Sequence, residues 1–350
     1  MKTAPFNTWL HYLRDLLTTS IIGVLGAFLA WYIYLPAPYI IGPAIFCTIA
    51  ALWGLNVRIP NLLRNICFAT IGIALGSNIT PNSMIRILEW PTSLLFMCFS
   101  ILLITVIGTF ILKSWFKIDK VSSILASSPG LLSYVLNLSV DTKSNTPVIS
   151  IIQSIRILII TITIPFTIML TTELNTEVID FKINILSLKN IILLYVFSLI
   201  AGMVLTWINI PAAFLVGGTI FSLIGHLTGF TPGDLPDSLS VIAFIVLGSL
   251  IGSRFTGVKM QILASCFFSG LFLTIISLII SLSIAFLVKL ITNIDYVDLI
   301  IAFAPGGLET MLAMGSIVNA DPTFLATHHI FRLIILGVII PSMIFGIRKL

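Results

Sequence analysis

Few residues in this chain have the type and spacing to do chemistry. The first group is Pro305-Gly306-Gly307-Leu308-Glu309, whose opening is repeated as Pro129-Gly130. Proline removes a backbone donor and glycine loosens the chain, so an apolar segment carrying both breaks its helix there. At membrane depth such a break is tolerated only where it is buried in protein or lines a wet cavity. Its freed amides and helix ends can then face a solute or an ion. The alternative is a kink that only permits tight packing. Glu309 is the only carboxylate in its apolar, small-residue stretch. An acid at the centre of a bilayer costs about 2.5–3.5 kcal/mol or more on insertion scales, so it finds a partner or stays protonated. Glu309 reads either as a proton or cation site or as an interfacial acid held by the dipole of a helix start.

The second group is His328, His329 and Arg332. Positions 329 and 332 are three apart and share a helix face. His329 could titrate near neutrality, and Arg332 could bind a carboxylate or phosphate. Gln153-x-x-Arg156 repeats the pair with the histidine replaced. Two such arginines fit a paired anionic site, structural links to Glu309 or Asp321, or simple snorkelling. Adjacent histidines point in different directions, so these two do not form a zinc site by themselves. Gly72-x-x-x-Gly76-Ser77 and Gly248-x-x-x-Gly252-Ser253 carry small residues four apart, a helix-packing signal. Their ends, Ser77 and Ser253, could also line a path. Thr80-Pro81, Thr146-Pro147 and Asp321-Pro322 each place a capping oxygen before a proline at the first helical position. Asp234 and Asp237 read as turn and cap residues of a Gly/Pro loop.

Soluble-enzyme signatures are missing: no phosphate loop, GxSxG elbow or dinucleotide fingerprint is present. Cys47, Cys67, Cys98 and Cys266 stand singly in apolar runs without metal-ligand spacing. No catalytic residue, metal or cofactor is expected.

The elements that must position these residues are apolar helices. Of the 350 residues, 58% are hydrophobic and 9% charged, and mean hydropathy is +1.15. A soluble chain carries roughly 25% charged residues, so much of this surface must meet lipid. The runs at 94–112, 191–206 and 262–288 approach or exceed the ~20 apolar residues that cross a bilayer. In lipid, backbone groups must be satisfied internally, which makes such runs helices; strand-like alternation is absent. The net charge of +5 comes from basic residues scattered at segment ends, the pattern of topology signals and not of a nucleic-acid surface. The amphipathic start reads as a retained cytoplasmic lead-in.

Collinear matches recur at an offset of 175 or 176 residues. They include Pro36-Ala37 with Pro211-Ala212, Gly42 with Gly217, the two glycine pairs, the two proline–glycine breaks, and Pro165 with Pro341. This predicts a duplication. The expected layout is a lead-in at 1–15, a first repeat at 16–170, a polar linker at 171–189, a second repeat at 190–346 and a tail at 347–350. Each repeat reads as six apolar segments, the fifth broken near its start by its Pro-Gly motif. The fold expected is an all-α integral membrane protein of about 10–12 transmembrane segments in two homologous repeats, with a broken or re-entrant helix in each. If all six segments span, the repeats are parallel. If the broken one is re-entrant, they are inverted. Charge placement nearly ties and leans to inversion.

Several of these motifs carry a resemblance. Ile41-Gly42-Pro43, Gly76-Ser77-Asn78-Ile79-Thr80-Pro81, and Ala304-Pro305-Gly306-Gly307-Leu308-Glu309-Thr310-Met311 followed by Ala320-Asp321-Pro322, His328-His329 and Arg332 resemble the bacterial membrane AbrB family. The likeness spans about residues 16–346. It implies a duplicated inner-membrane protein under family labels that include regulator of gene expression, ammonia monooxygenase and transporter-like protein. The first copy departs from the pattern, with Ser133 where the second has Glu309 and Gln153 where it has His329.

These labels can be weighed physically. A DNA-binding module needs a domain of roughly 50 residues or more, and the longest polar passage is under ~20. A monooxygenase needs a metal or flavin site, and no ligand set is visible. Duplicated halves with broken helices fit a secondary transporter or exporter of a small organic solute, with Glu309 or His329 exchanging protons. The rival is a membrane sensor that regulates gene expression indirectly. Expected partners are the lipid bilayer and the solute, without direct nucleic-acid binding, and a homo-oligomer is compatible. The expected location is the inner membrane with both termini cytoplasmic.

Overall fold

The computed structural model describes residues 6–77, 90–130, 132–171, 185–208, 210 and 212–348. Among these the chain is helical, with one isolated bridge between Ile185 and Asp234 and no strand. Thr80-Pro81 and Asn78-Ile79 lie outside the described residues. The first seven helices are α1 (Phe6–Tyr32), α2 (Pro38–Leu52), α3 (Asn61–Ser77), α4 (Trp90–Ser114), α5 (Lys120–Ser127), α6 (Leu132–Asp141) and α7 (Thr146–Thr171). The next seven are α8 (Leu188–Trp207), α9 (Ala213–Leu227), α10 (Asp237–Ser253), α11 (Met260–Ile291), α12 (Tyr296–Phe303), α13 (Leu308–Ile317) and α14 (Pro322–Arg348).

Among the described residues, six helices are individually long and apolar enough to cross a membrane: α1, α4, α7, α8, α11 and α14. Their outward faces carry large apolar side chains such as Leu95, Phe110, Phe268 and Ile334, all more than 60% exposed. Water would not tolerate so continuous an apolar surface, and lipid does. Four shorter apolar helices, α2, α9, α10 and α13, accompany them.

Helix lengths recur in chain order. Both α2 and α9 have 15 residues, α3 and α10 have 17, α5 and α12 have 8, and α6 and α13 have 10. Ala37 and Ala212, the residues before α2 and α9, share the left-handed conformation at φ 46° and 51°. That is uncommon for alanine and marks a chain reversal held by its surroundings.

The chain forms two compact units, and neither is one half of the sequence. The first takes residues 1–77 and 180–259, and the second takes 78–179 and 260–350. In the first unit the glycine pairs bring backbones together. A Cβ on Gly72 or Gly76 would collide with the carbonyls of Leu215 and Thr219 in α9. One on Gly248 or Gly252 would meet α2 at Ile40 and at Cys47–Thr48. Close approach of this kind is how small residues hold helices together in lipid. Ser77 and Ser253 turn their hydroxyls to Ala74 and Leu250 of their own helices.

The second unit holds both proline–glycine breaks. Each fifth segment is split into two separate helices, α5 with α6 and α12 with α13. The break follows a full eight-residue helix, so it sits in mid-segment and not near the start. At 1.5 Å per residue these pieces are about 12 and 15 Å long, too short to cross a ~30 Å core individually.

Candidate functional site

Asp119 caps α5 by accepting from the Ser122 amide, and Asp295 caps α12 by accepting from the Val297 amide. Both helices end where a proline follows. The preceding residues, Ser128 and Ala304, are extended at ψ 121° and 128°, as the proline ring requires. Each helix then presents its last carbonyls without intrahelical partners.

Two buried arginines supply partners to carbonyls at these helix ends and in the break that follows. Arg156 of α7 donates through Nη1 to the Ala126 carbonyl at 3.3 Å and through Nη2 to the Ser128 carbonyl at 3.0 Å. Arg332 of α14 donates to the Ala304 carbonyl at 2.6 Å and the Gly306 carbonyl at 3.0 Å. The cation meets the negative end of a half-helix dipole in both cases. These side chains are 1% and 2% exposed, so they do not snorkel. Neither guanidinium pairs with Glu309 or Asp321 as the sequence had allowed, and among the described residues neither meets a carboxylate. The two lie within electrostatic reach of each other.

The neighbour three residues earlier differs between the halves, and so does its bonding. Gln153 donates to the Leu125 carbonyl at 2.8 Å. His329 makes no such bond. Its Nδ1 accepts from Arg332 Nη2 at 2.8 Å, so the proton of a neutral ring sits on Nε2. That Nε2 is buried and has no partner, as are Arg156 Nε, Arg332 Nε and Gln153 Oε1. Buried polar atoms are ordinarily paired, and each exception asks for an explanation.

Glu309 is the second residue of α13, half-buried, with its carboxylate beside Gly307. No hydrogen bond or ion pair to it is present among the described residues. Pro305, Gly306 and Gly307 are buried, as are Pro129 and Gly130. The Ser133 side chain lies outside the described structure. His328, by contrast, is satisfied on both nitrogens, by the Phe324 carbonyl at 2.8 Å and Ser93 Oγ at 2.7 Å, and packs against Trp90 and Phe324.

Asp321 caps α14 by accepting from the Thr323 and Phe324 amides. At α7 the capping oxygen belongs to Asn145 and not Thr146: Asn145 Oδ1 accepts from the Val148 amide, while Thr146 spends its hydroxyl on Ser139. Sequence reasoning also missed Asp298, whose carboxylate accepts from the Asp321 amide at 2.8 Å. Its counterpart Ser122 accepts from the Asn145 amide at 3.0 Å. The offset of 176 residues was the signal that could have found both. Among the described residues no three His, Cys, Asp or Glu side chains gather as a metal-binding group.

A family model described as "Transition state regulatory protein AbrB" matches residues 39–347. The chain is 26% identical over 297 residues to the "Uncharacterized protein YhjN" of Bacillus subtilis (strain 168), covering 77% of this chain and 75% of that protein. It is 22% identical over 308 residues to the "Putative regulator AbrB" of Escherichia coli (strain K12), covering 86% of this chain and 87% of that one.

Proposed function

Because the chain belongs to the membrane AbrB family, matched over residues 39–347, we propose that it is a secondary transporter or exporter of a small organic solute. The observation that carries this reading is the pair of broken helices in one compact unit, each clamped at its carbonyl end by a buried arginine. Discontinuous helices whose ends face one another are how secondary transporters build a binding site within the bilayer. In this reading the halves are homologous repeats in inverted orientation, and the protein lies in the inner membrane with both termini cytoplasmic.

The differences between the halves support a single working site. Its proton-exchanging groups come from the second half, as His329 and Glu309. Glu309 is half-buried at a break with no partner among the described residues, and His329 keeps one ring nitrogen unspent. Either can carry a proton with the solute.

The second reading is a membrane sensor that regulates gene expression through solute binding. The names of the family model and of the Escherichia coli relative favour it. Purified protein in liposomes separates the two. Transport predicts uptake of labelled solute driven by unlabelled solute trapped inside, and sensing predicts saturable binding without that uptake.

A further inference from the structure

Two differences between the breaks define what the solute should look like. The first is in the polar atoms. Buried without partners are Gln153 Oε1, an acceptor, at the first break, His329 Nε2, a donor, at the second, and the donors Arg156 Nε and Arg332 Nε, one at each. Three of the four atoms call for an acceptor, and two guanidiniums without a carboxylate partner among the described residues favour a negative one.

The second difference is in packing. At the second break, Met311 covers Gly306 so closely that a Cβ there would sit 2.9–3.0 Å from its side-chain atoms. The counterpart of Met311 at the first break is the shorter Val135, and the counterpart of Thr161 on the long helix is Gly337. A cavity of about 100 Å³ remains there, lined by Gly130, Tyr134, Val135, Leu333, Leu336 and Gly337 among others. His329, Arg332, Leu333 and Leu336 recur at helical spacing, so the polar group and two residues of the cavity lining share one face of α14. An apolar cavity of ~150 Å³ holds benzene, so this one has room for roughly a branched three- or four-carbon group.

We propose that the solute is a small organic acid with a short apolar tail, its carboxylate held by the unspent edges of Arg156, Arg332 and His329 and its tail housed beside Gly130. The proposal rests on the transport reading only in calling the ligand a solute.

The test is thermal stabilisation of detergent-purified protein by formate, acetate, butyrate and isovalerate, with isoamylamine as the oppositely charged control, since a ligand stabilises the state it binds. Affinity should rise about fourfold per added carbon up to isovalerate. Val135→Met should abolish the rise while leaving formate and acetate unchanged. Gly337→Val narrows the same cavity from the other helix and serves if Val135→Met fails to fold. His329→Gln should weaken every acid about tenfold. Stabilisation by the amine as strong as by isovalerate, no gain with chain length, or a gain that survives both cavity-filling variants would overturn the proposal. Acid binding without counterflow would defeat transport and leave this site standing. Counterflow of a solute that is not an acid, with the acids inert, would defeat this site and leave transport standing.

Discussion

Arg332 spends both terminal nitrogens on backbone carbonyls, so its removal strands acceptors inside the protein. Each buried carbonyl left without a donor costs about 1–3 kcal/mol. Arg332→Ala should therefore lower the thermal midpoint in detergent markedly, and Arg332→Lys should recover only part, because an ammonium lacks the planar fork that reaches two acceptors. An unchanged midpoint in Arg332→Ala would contradict the clamp. His329→Gln isolates function from folding. A glutamine there can donate to the Ile301 carbonyl as Gln153 does to Leu125, so the midpoint should hold while flux falls at least tenfold. Glu309→Gln should remove the dependence of flux on a pH gradient, measured in liposomes of fixed membrane potential, and coupling equal to wild type would sink its proton role. The arginines were legible as a pair in the sequence, but their partners were not, because a carbonyl acceptor is the same at every residue. That is why carboxylates looked like the natural partners of Arg332 until the breaks were seen to supply four carbonyls.

At the scale of elements, the glycine pairs and the breaks are built from one constraint, the need to satisfy or exclude backbone polar groups in lipid. Gly72 and Gly248 sit where another helix's carbonyl occupies the space of a side chain. Gly72→Val or Gly248→Val should destabilise by about 1–3 kcal/mol or more through overpacking. Thermal midpoints close to wild type would show that the helix crossings are loose enough to admit a side chain. Helix existence was readable from apolar runs, and the repeat offset located both breaks. The position of each break within its segment was misread, because a Pro-Gly motif marks where a helix must stop and not how much helix precedes it. The cap at α7 slipped by one residue for a similar reason: Asn145 and Thr146 are both good caps, and Ser139 claims the threonine hydroxyl.

At the scale of the whole molecule, composition placed the chain in lipid, but the grouping of helices was hidden. Each compact unit draws its helices from both halves of the sequence, an arrangement set by long-range packing that no local pattern encodes. Inverted repeats make a definite prediction about sidedness. In a background with Cys47, Cys67, Cys98 and Cys266 replaced by serine, an impermeant thiol reagent outside the cell should label a cysteine at position 230 and spare one at position 256. The reverse pattern would establish parallel repeats. Transport itself is tested most directly by counterflow in liposomes containing wild-type protein or His329→Gln, each loaded with unlabelled solute and given a labelled trace outside. Transient accumulation of label is expected with wild type, and its loss is expected in the equally stable variant. Saturable binding by wild type with no accumulation of any ligand that it binds would contradict transport.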